Sequence, residues 1–432
     1  MKKFTLISLG CAKNTVDSQS IAALMQQAGF ASSNDSQDSD AIIVNTCGFI
    51  GSARQETTEV LKELAAKKSD NQLLVAAGCM AQLFEPQIRE AVPGIDLVVG
   101  SQEWLQLPRL IQTQLSPSGV NAKYDLPAVP RVAVQGASAY LEVSNGCRRK
   151  CSYCSIPLIK GTLRSRTKEE ILSDALLLQE NKIKEIMIIG QDTSDFGHDR
   201  KDGYYLPQLM EDLLTTTPYI PWIRLLYSFP GVITKEFIDL MKTNNRFLNY
   251  LDIPLQHAHP DILRSMNRPA NIHQTKENLL RLQEEIPGIA LRTTFIVGYP
   301  GEGEREFQAL LDFIEDIQFD RVGVFPFSYE SNTPSAPLGD SVPDEAKLER
   351  VDALMRMQQK ISLDINQIYV GKTLEVLIEG NDPKEKISVG RSYRDAPEID
   401  GLVFVDGIIN VGDIVSVKIN EGLEYDLIGT TA

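Results

Sequence analysis

The sequence has no apolar run approaching the eighteen or more residues that a membrane span requires, so no segment of it reads as a transmembrane helix. It also lacks an A-x-A-like cleavage site after its first apolar stretch. Met1-Lys2-Lys3-Phe4-Thr5-Leu6-Ile7-Ser8-Leu9-Gly10 therefore reads as a first β-strand and not as a signal peptide. Positive charge is in deficit: 43 Lys and Arg stand against 58 Asp and Glu, a formal net charge of -15. That balance argues against broad contact with nucleic-acid phosphates, which needs clustered cations that release counterions. A basic partner fits better, although acidity of this kind also serves solubility alone. Cysteine is scarce as well. The six present are expected to stay unpaired, because the chain reads as cytoplasmic and that compartment is reducing.

What remains is ordinary for a soluble protein, with 43% hydrophobic and 23% charged residues. A length of 432 residues exceeds one compact core and predicts two to four domains.

Three of the cysteines close a pattern repeated through the first hundred residues. Residues 4–9 run into Gly10-Cys11, 41–45 into Thr46-Cys47-Gly48, and 73–77 into Gly78-Cys79. Helical spacing follows each time, over 15–28, 52–67 and 84–91. The repeat predicts a parallel α/β unit with its cysteines at the carboxyl ends of the strands, where open parallel sheets collect ligands. A free cysteine is most often a small buried hydrophobe. Recurrence at one sheet edge favours a shared ligand instead.

The Pro- and Ser-bearing stretch 116–130 reads as a linker. Strand candidates then follow at 140–144, 185–190, 222–227, 250–255, 289–297 and 321–327, with helix-length segments between them. Six βα units predict a parallel partial or complete barrel, with catalytic groups at the strand ends. A helix over 343–369 is expected to pack back on it through Leu348, Val351, Leu354, Met355 and Ile361. From Gly371 short β-rich runs at 373–378, 401–405 and 414–419 predict a small barrel. The expected fold class is α/β: an N-terminal parallel α/β domain over 1–115, a partial (β/α)6 TIM-like barrel over 133–368, and a small C-terminal β-barrel over 369–432.

Directly after the first strand of the second series, Asn145-Gly146-Cys147-Arg148-Arg149-Lys150-Cys151-Ser152-Tyr153-Cys154 sets three thiols in C-x3-C-x2-C. Structural zinc asks for a fourth ligand, and no fourth cysteine lies nearby. Three thiolates instead leave one iron of a cubic 4Fe-4S cluster without a protein ligand, and an open metal position is where a substrate or cofactor binds.

This spacing on a β/α barrel resembles the radical S-adenosylmethionine (radical SAM) superfamily. The resemblance implies that Cys147, Cys151 and Cys154 hold the radical-generating cluster, whose open iron chelates S-adenosylmethionine. Gly190-Gln191-Asp192 stands where the superfamily binds the cofactor's amino group, and Tyr153 takes the aromatic position before the third cysteine. Arg292 and Ile296-Val297-Gly298-Tyr299-Pro300-Gly301-Glu302 resemble its fifth-strand element. Tyr153, Gly190, Gln191, Asp192, Arg292, Val297 and Gly298 are thus the implied cofactor contacts. By themselves, a glycine-rich turn and the run Arg148-Arg149-Lys150 read equally well as structural and solvated. His257 and His259 read as ordinary hydrogen-bonded histidines, since three thiolates already account for the cluster.

Across almost the whole chain the order of parts resembles the methylthiotransferase family of that superfamily, which ends in a TRAM-type barrel. The resemblance implies that Cys11, Cys47 and Cys79 hold a second 4Fe-4S cluster, whose open iron carries the sulfur. Two 4Fe-4S clusters and S-adenosylmethionine are the implied cofactors; a reductant protein and a sulfur donor are implied partners. One branch of the family modifies an adenosine of transfer RNA. Another inserts a methylthio group at the β-carbon of an aspartate in the small-subunit ribosomal protein numbered twelve. Residues 369–432 hold six bases against twelve acids, a balance of -6, which suits a basic protein better than RNA. The segment from Gly390 to Gly401 and the run from Cys151 to Gly161 also resemble the ribosomal-protein branch, apart from Lys160 where arginine is frequent. The expectation is therefore a methylthiotransferase acting on that ribosomal protein, recruited through Asp395, Glu398 and Asp400. A transfer-RNA enzyme is the alternative; a non-catalytic iron-sulfur redox sensor or ribosome-assembly factor is an alternative of another class.

Two triads in two domains predict two independent clusters. Replacing Cys147, Cys151 and Cys154 with alanine should leave about half the iron of the reconstituted protein. Complete loss or full retention in an iron and sulfide assay would show that the sites are not independent.

Overall fold

The structure is a computed structural model describing residues 1–115 and 129–432, so the expected linker lies almost wholly outside the described residues. These divide into two compact units. The first comprises Met1–Ala133, Tyr140–Lys150 and Cys154–Arg166; the second comprises Val134–Ala139, Cys151–Tyr153 and Thr167–Ala432. No helix among the described residues is long and apolar enough to cross a membrane.

In the first unit β1 (Lys3–Ser8), β2 (Ala31–Ser32), β3 (Ala41–Thr46), β4 (Leu73–Gly78) and β5 (Leu97–Gly100) form a parallel sheet in the order β2-β1-β3-β4-β5. Side chains alternate across its two faces, as the pleat requires. Ile43, Val75 and Val99 join one core with Ile21, Met25 and Leu107, while Ile42, Val44, Leu74 and Ala76 join the other with Leu61 and Ile88. Covering on both faces explains why β3, Ala-Ile-Ile-Val-Asn-Thr, is buried at every position. The expected helices appear as Ala12–Gln27, Gly51–Lys67 and Glu85–Ala91, with a further short helix, Cys79–Leu83, starting at the third cysteine. Next along the chain come β6 (Val132–Gln135), β7 (Ser138–Glu142), β8 (Ser144–Asn145) and β9 (Arg164–Ser165), the last two paired antiparallel.

The second unit carries β10 (Glu185–Ile189), β11 (Trp222–Leu225), β12 (Phe247–Asp252), β13 (Ala290–Val297) and β14 (Arg321–Pro326), parallel and adjacent in chain order. A helix follows each of the first four. The sheet stays open with β14 at one edge, so the barrel is partial. Helix Asp344–Gln367 packs back as expected, burying Leu354 and Ile361 of the expected stripe with Val351 and Met355 half-buried; Leu348 alone departs, at 62% exposed. The buried face is largely polar, with Lys347, Arg350, Gln358, Ser362 and Asn366. The reason is backbone demand at the start of β14, where Gln358 Nε2 donates to Phe319 O at 2.7 Å and Ser362 Oγ to Asp320 O at 2.9 Å. The C-terminal residues form a closed barrel of β15 (Thr373–Asp382), β16 (Ile387–Ser392), β17 (Val403–Asp406), β18 (Ile414–Gly422) and β19 (Leu427–Thr431), filled by Val376, Ile378, Val403, Val405, Val417, Ile419 and Leu427.

Asp395 and Asp400, expected to face a partner, are buried instead. Arg321 Nη2 reaches Asp395 Oδ1 at 2.6 Å; Tyr250 OH donates to Asp400 Oδ2 at 2.6 Å, and Arg292 Nε lies 3.2 Å from Asp400 Oδ1. Arg394 meets Asp320 at 2.9 Å, while Arg391 and Arg224 converge on Glu185 at 2.6 and 2.7 Å. The segment from Arg391 to Asp400 thus fastens the small barrel to the strands of the same unit, and of the three acids only Glu398 is exposed. Charges removed from water must be paired. Lysine at 395 or 400 would break that pairing before it altered any surface.

Burial alone would push the Glu185 carboxyl up, but Arg391 and Arg224 outweigh it and hold it at about 2 against an ordinary 4.5. A depressed carboxylate stabilises the fold above pH 4.5, and the contribution is lost as pH falls from there towards 2. Glu185→Gln should cost about 3–5 kcal/mol at neutral pH. Urea unfolding followed by Trp222 in a Trp104→Phe background checks this: the stability gap between the proteins with and without the Glu185→Gln substitution should narrow as the pH is taken down through that window. A gap independent of pH would assign the loss to packing.

Candidate functional site

The parallel sheet of the first unit delivers Cys11, Cys47 and Cys79 to the same edge. Cys11 follows β1 and caps helix Ala12–Gln27, Cys47 follows β3, and Cys79 follows β4. The glycines before two of them are required. Gly10 has φ +94°, and a Cβ there would stand 3.0 Å from Cys47 Sγ; Gly78 has φ +99°, and its Cβ would meet Asn45 Oδ1 at 2.3 Å. Asn14, which sequence reasoning did not single out, ties the edge together. Its Nδ2 donates to Leu9 O at 2.7 Å and to Thr46 O at 3.1 Å, and its Oδ1 lies 3.5 Å from Cys79 Sγ. Asn45 Nδ2 in turn donates to Asn14 O and Ser18 Oγ, each at 2.9 Å. The available signal was a polar set, Asn14, Asp17 and Ser18, on a helix face that packing would make apolar.

Burial pushes the Cys79 thiol up to about 12, with Lys160 pulling the other way, and burial also raises Cys47. Thiols of this kind ionise only against a strong cation, so a metal held by them would displace their protons. Among the described residues no three His, Cys, Asp or Glu side chains are gathered closely enough to hold a single metal ion. In a 4Fe-4S cube each thiolate takes a different iron, which suits three thiols spread along one edge.

The C-x3-C-x2-C loop follows β8 and leads into helix Ile156–Lys160. Cys147 and Cys154 belong to the first unit and Cys151 to the second. All three are half-buried. In the first unit Cys147 N donates to Gly161 O at 3.1 Å, and Arg149 N lies 3.4 Å from Cys147 Sγ. In the second, Arg268 stacks on Phe229 at 4.2 Å and places Nη1 3.9 Å from Cys151 Sγ. Ser152 is anchored by Oγ to Ser265 O at 2.7 Å and by N to Met266 O at 3.0 Å, and Tyr153 packs on Ile262, Met266, Tyr299 and Phe327. Arg268 and Phe229 carried no sequence motif.

Gly190, Gln191 and Asp192 follow β10, and the Gln191 Oε1 is buried without a hydrogen-bond partner, an acceptor left for a donor such as an amino group. Val297 ends β13 and Gly298 follows it. Gly298 N donates to Glu302 Oε1 at 2.8 Å, and Glu302 is held by Arg350 Nη1 at 2.8 Å and by His257 Nε2 at 3.1 Å. His257 Nδ1 accepts from His259 N at 2.9 Å, and His259 Nδ1 from Asp261 N at 3.3 Å, so both histidines act as hydrogen-bonding groups as expected. Arg292 stands five residues before Val297, about 16 Å along the strand, with Nη1 3.1 Å from Asp252 and Nε 3.2 Å from Asp400, so its guanidinium takes part in the buried charge network.

Three family descriptions match the chain: the Radical SAM superfamily over residues 141–314, Uncharacterized protein family UPF0004 over 3–100, and the TRAM domain over 370–431. The ribosomal protein uS12 methylthiotransferase RimO of Roseiflexus sp. (strain RS-1) is 40% identical over 458 residues, covering 99% of this chain and 96% of the relative. That of Chloroflexus aurantiacus is 41% identical over 453 residues, covering 99% of each. The radical S-adenosylmethionine methyltransferase TsrM from Kitasatospora setae, solved with cobalamin and a [4Fe-4S] cluster, aligns with a TM-score of 0.57 at 15% identity, covering 78% of this chain and 74% of that one, and shares the fold. With full-length similarity to these relatives and a TRAM-type barrel after the radical SAM domain, the chain belongs to the RimO family of radical SAM methylthiotransferases.

Proposed function

We propose that the chain transfers a methylthio group to the β-carbon of an aspartate on ribosomal protein uS12 in the cytoplasm. One observation carries the reading: two separate cysteine triads, one at a sheet edge and one in a loop after a strand, in a chain similar over its whole length to uS12 methylthiotransferases. A carbon-hydrogen bond of that kind is far too weak an acid for a side-chain base near neutral pH. S-adenosylmethionine bound at an iron-sulfur cluster supplies the one-electron chemistry that breaks it.

In this reading Cys147, Cys151 and Cys154 ligate the radical-generating cluster, and Cys11, Cys47 and Cys79 ligate the cluster that handles sulfur. Gln191 offers its unpaired oxygen and Asp192 its carboxylate to the cofactor's amino group. Gly190 and Gly298 keep the strand ends open, Glu302 fixes the turn by accepting the Gly298 N–H, and Val297 and Tyr153 line the cofactor. The division of labour follows the domains 1–115, 133–368 and 369–432.

Charge supports the substrate. Arg391, Arg394, Asp395 and Asp400 are internal and cancel, so the rest of the small barrel keeps four lysines against ten acids, the same -6. Such a surface attracts a basic ribosomal protein and repels transfer RNA. A reductant protein and a sulfur donor complete the set of partners.

Cys47→Ala should abolish methylthio transfer to uS12 while the protein still forms 5'-deoxyadenosine from S-adenosylmethionine under reduction. The measurements are intact mass of uS12 from a deletion strain complemented with each form, and nucleoside analysis of the purified enzymes. Loss of 5'-deoxyadenosine in wild type would point to a non-catalytic iron-sulfur protein; a methylthio group missing from transfer RNA, with uS12 unchanged, would move the assignment to the RNA branch.

A further inference from the structure

Four charged side chains of the first unit have no part in the scheme above, yet Asp17, Glu142 and Lys160 are buried and Arg131 is half-buried. Lys160, the last residue of helix Ile156–Lys160, places Nζ 2.6 Å from Asp17 Oδ2, and both side chains are 5% exposed or less. Arg131 Nη2 lies 2.5 Å from Asp17 Oδ1 and 2.5 Å from Glu142 Oε2. Two cations and two carboxylates thus form a quartet of balanced charge, linked in the order Lys160, Asp17, Arg131, Glu142. Stability does not require one, because well-packed apolar residues often replace buried ion pairs with no loss or with a gain. Breaking one, by contrast, is costly, so the quartet keeps its charges in fixed places.

Those places are next to a cysteine. Helix Ile156–Lys160 packs against helix Cys79–Leu83, and the carbonyl of Ile159 is gripped by Ser101 Oγ at 2.7 Å and Gln102 Nε2 at 3.2 Å. The ammonium reaches Asp17, three residues beyond Asn14, whose amide oxygen meets the same thiol at 3.5 Å.

We propose that Lys160 is a positioning residue for the N-terminal cluster: its ammonium, pinned by Asp17, is a fixed buried positive charge beside the Cys79 ligand that raises the cluster's reduction potential. The inference rests on the reading that Cys11, Cys47 and Cys79 ligate a cluster. Reduction adds one electron, and a nearby cation in a low-dielectric interior stabilises the more negative state, whereas a carboxylate disfavours it. Lys160 stands six residues after Cys154 in the sequence, within the segment Cys154–Arg166 of the first unit. The segment that carries a ligand of one triad therefore supplies the charge that tunes the other.

The test uses the full chain with Cys147, Cys151 and Cys154 replaced by alanine, reconstituted with iron and sulfide, and titrated with dithionite under potentiometric control while the reduced cluster is followed by electron paramagnetic resonance. Lys160→Met should lower the midpoint potential by at least a factor of ten in the one-electron equilibrium, about 59 mV. Asp17→Asn, which leaves the ammonium without its nearest counter-charge, should raise it. Lys160→Arg should restore the parent value. A merely structural role would move the first two in the same direction or leave both unmoved, and either result would overturn the inference. If Lys160→Met fails to hold iron, the sign of the Asp17→Asn shift decides: a rise supports the inference, and a fall or no change overturns it. Absence of iron in the parent protein would overturn the cluster reading itself and this inference with it.

Discussion

In a parallel sheet every strand ends at the same edge, and the rest of this structure depends on that constraint. Cys11, Cys47 and Cys79 are separated by 36 and 32 residues in the chain, yet β1, β3 and β4 are neighbours that run the same way, so each delivers its cysteine to one line. The second unit uses the same device. Gly190-Gln191-Asp192 and Val297-Gly298 stand at the carboxyl ends of β10 and β13. Antiparallel pairing would send alternate strand ends to opposite edges and scatter both sets.

A site at a strand end must be held from behind, since loops there have few backbone partners of their own. In the first unit that support is amide hydrogen bonding through Asn14 and Asn45. In the second it is charge: Glu302, fully buried, joins the Gly298 turn to Arg350 on helix Asp344–Gln367 and to His257. The same economy fastens the small barrel, where Arg391 and Arg224 share Glu185 and Arg292 bridges Asp252 and Asp400. Ion pairs of this kind need close geometry to offset desolvation, so they tolerate little sliding and favour one seating over others.

Much of this was legible in the sequence because it is local. Hydrophobic alternation and helical spacing placed most strands and helices to within a few residues, though not β5, β6, β16 or β19, and C-x3-C-x2-C is a covalent tether that brings three thiols within reach of one another whatever the fold. The glycines before Cys11 and Cys79 were visible too, although only the backbone explains them, by φ values that side chains rarely adopt.

What only the tertiary structure decided was the meaning of charge. Asp395 and Asp400 read as surface residues because charged groups are seldom buried, and the partners that reverse this lie far off in the chain: Asp395 pairs with a residue 74 positions away and Asp400 with Tyr250 across 150, just as Glu185 pairs with Arg391 across 206. Lys160 carried no expected role until Asp17 was found beside it, 143 positions earlier in the chain. Periodicity along a chain reports which face of an element turns inward; it holds no record of what that face will meet, and for a charged side chain the partner alone determines whether burial is forbidden or required.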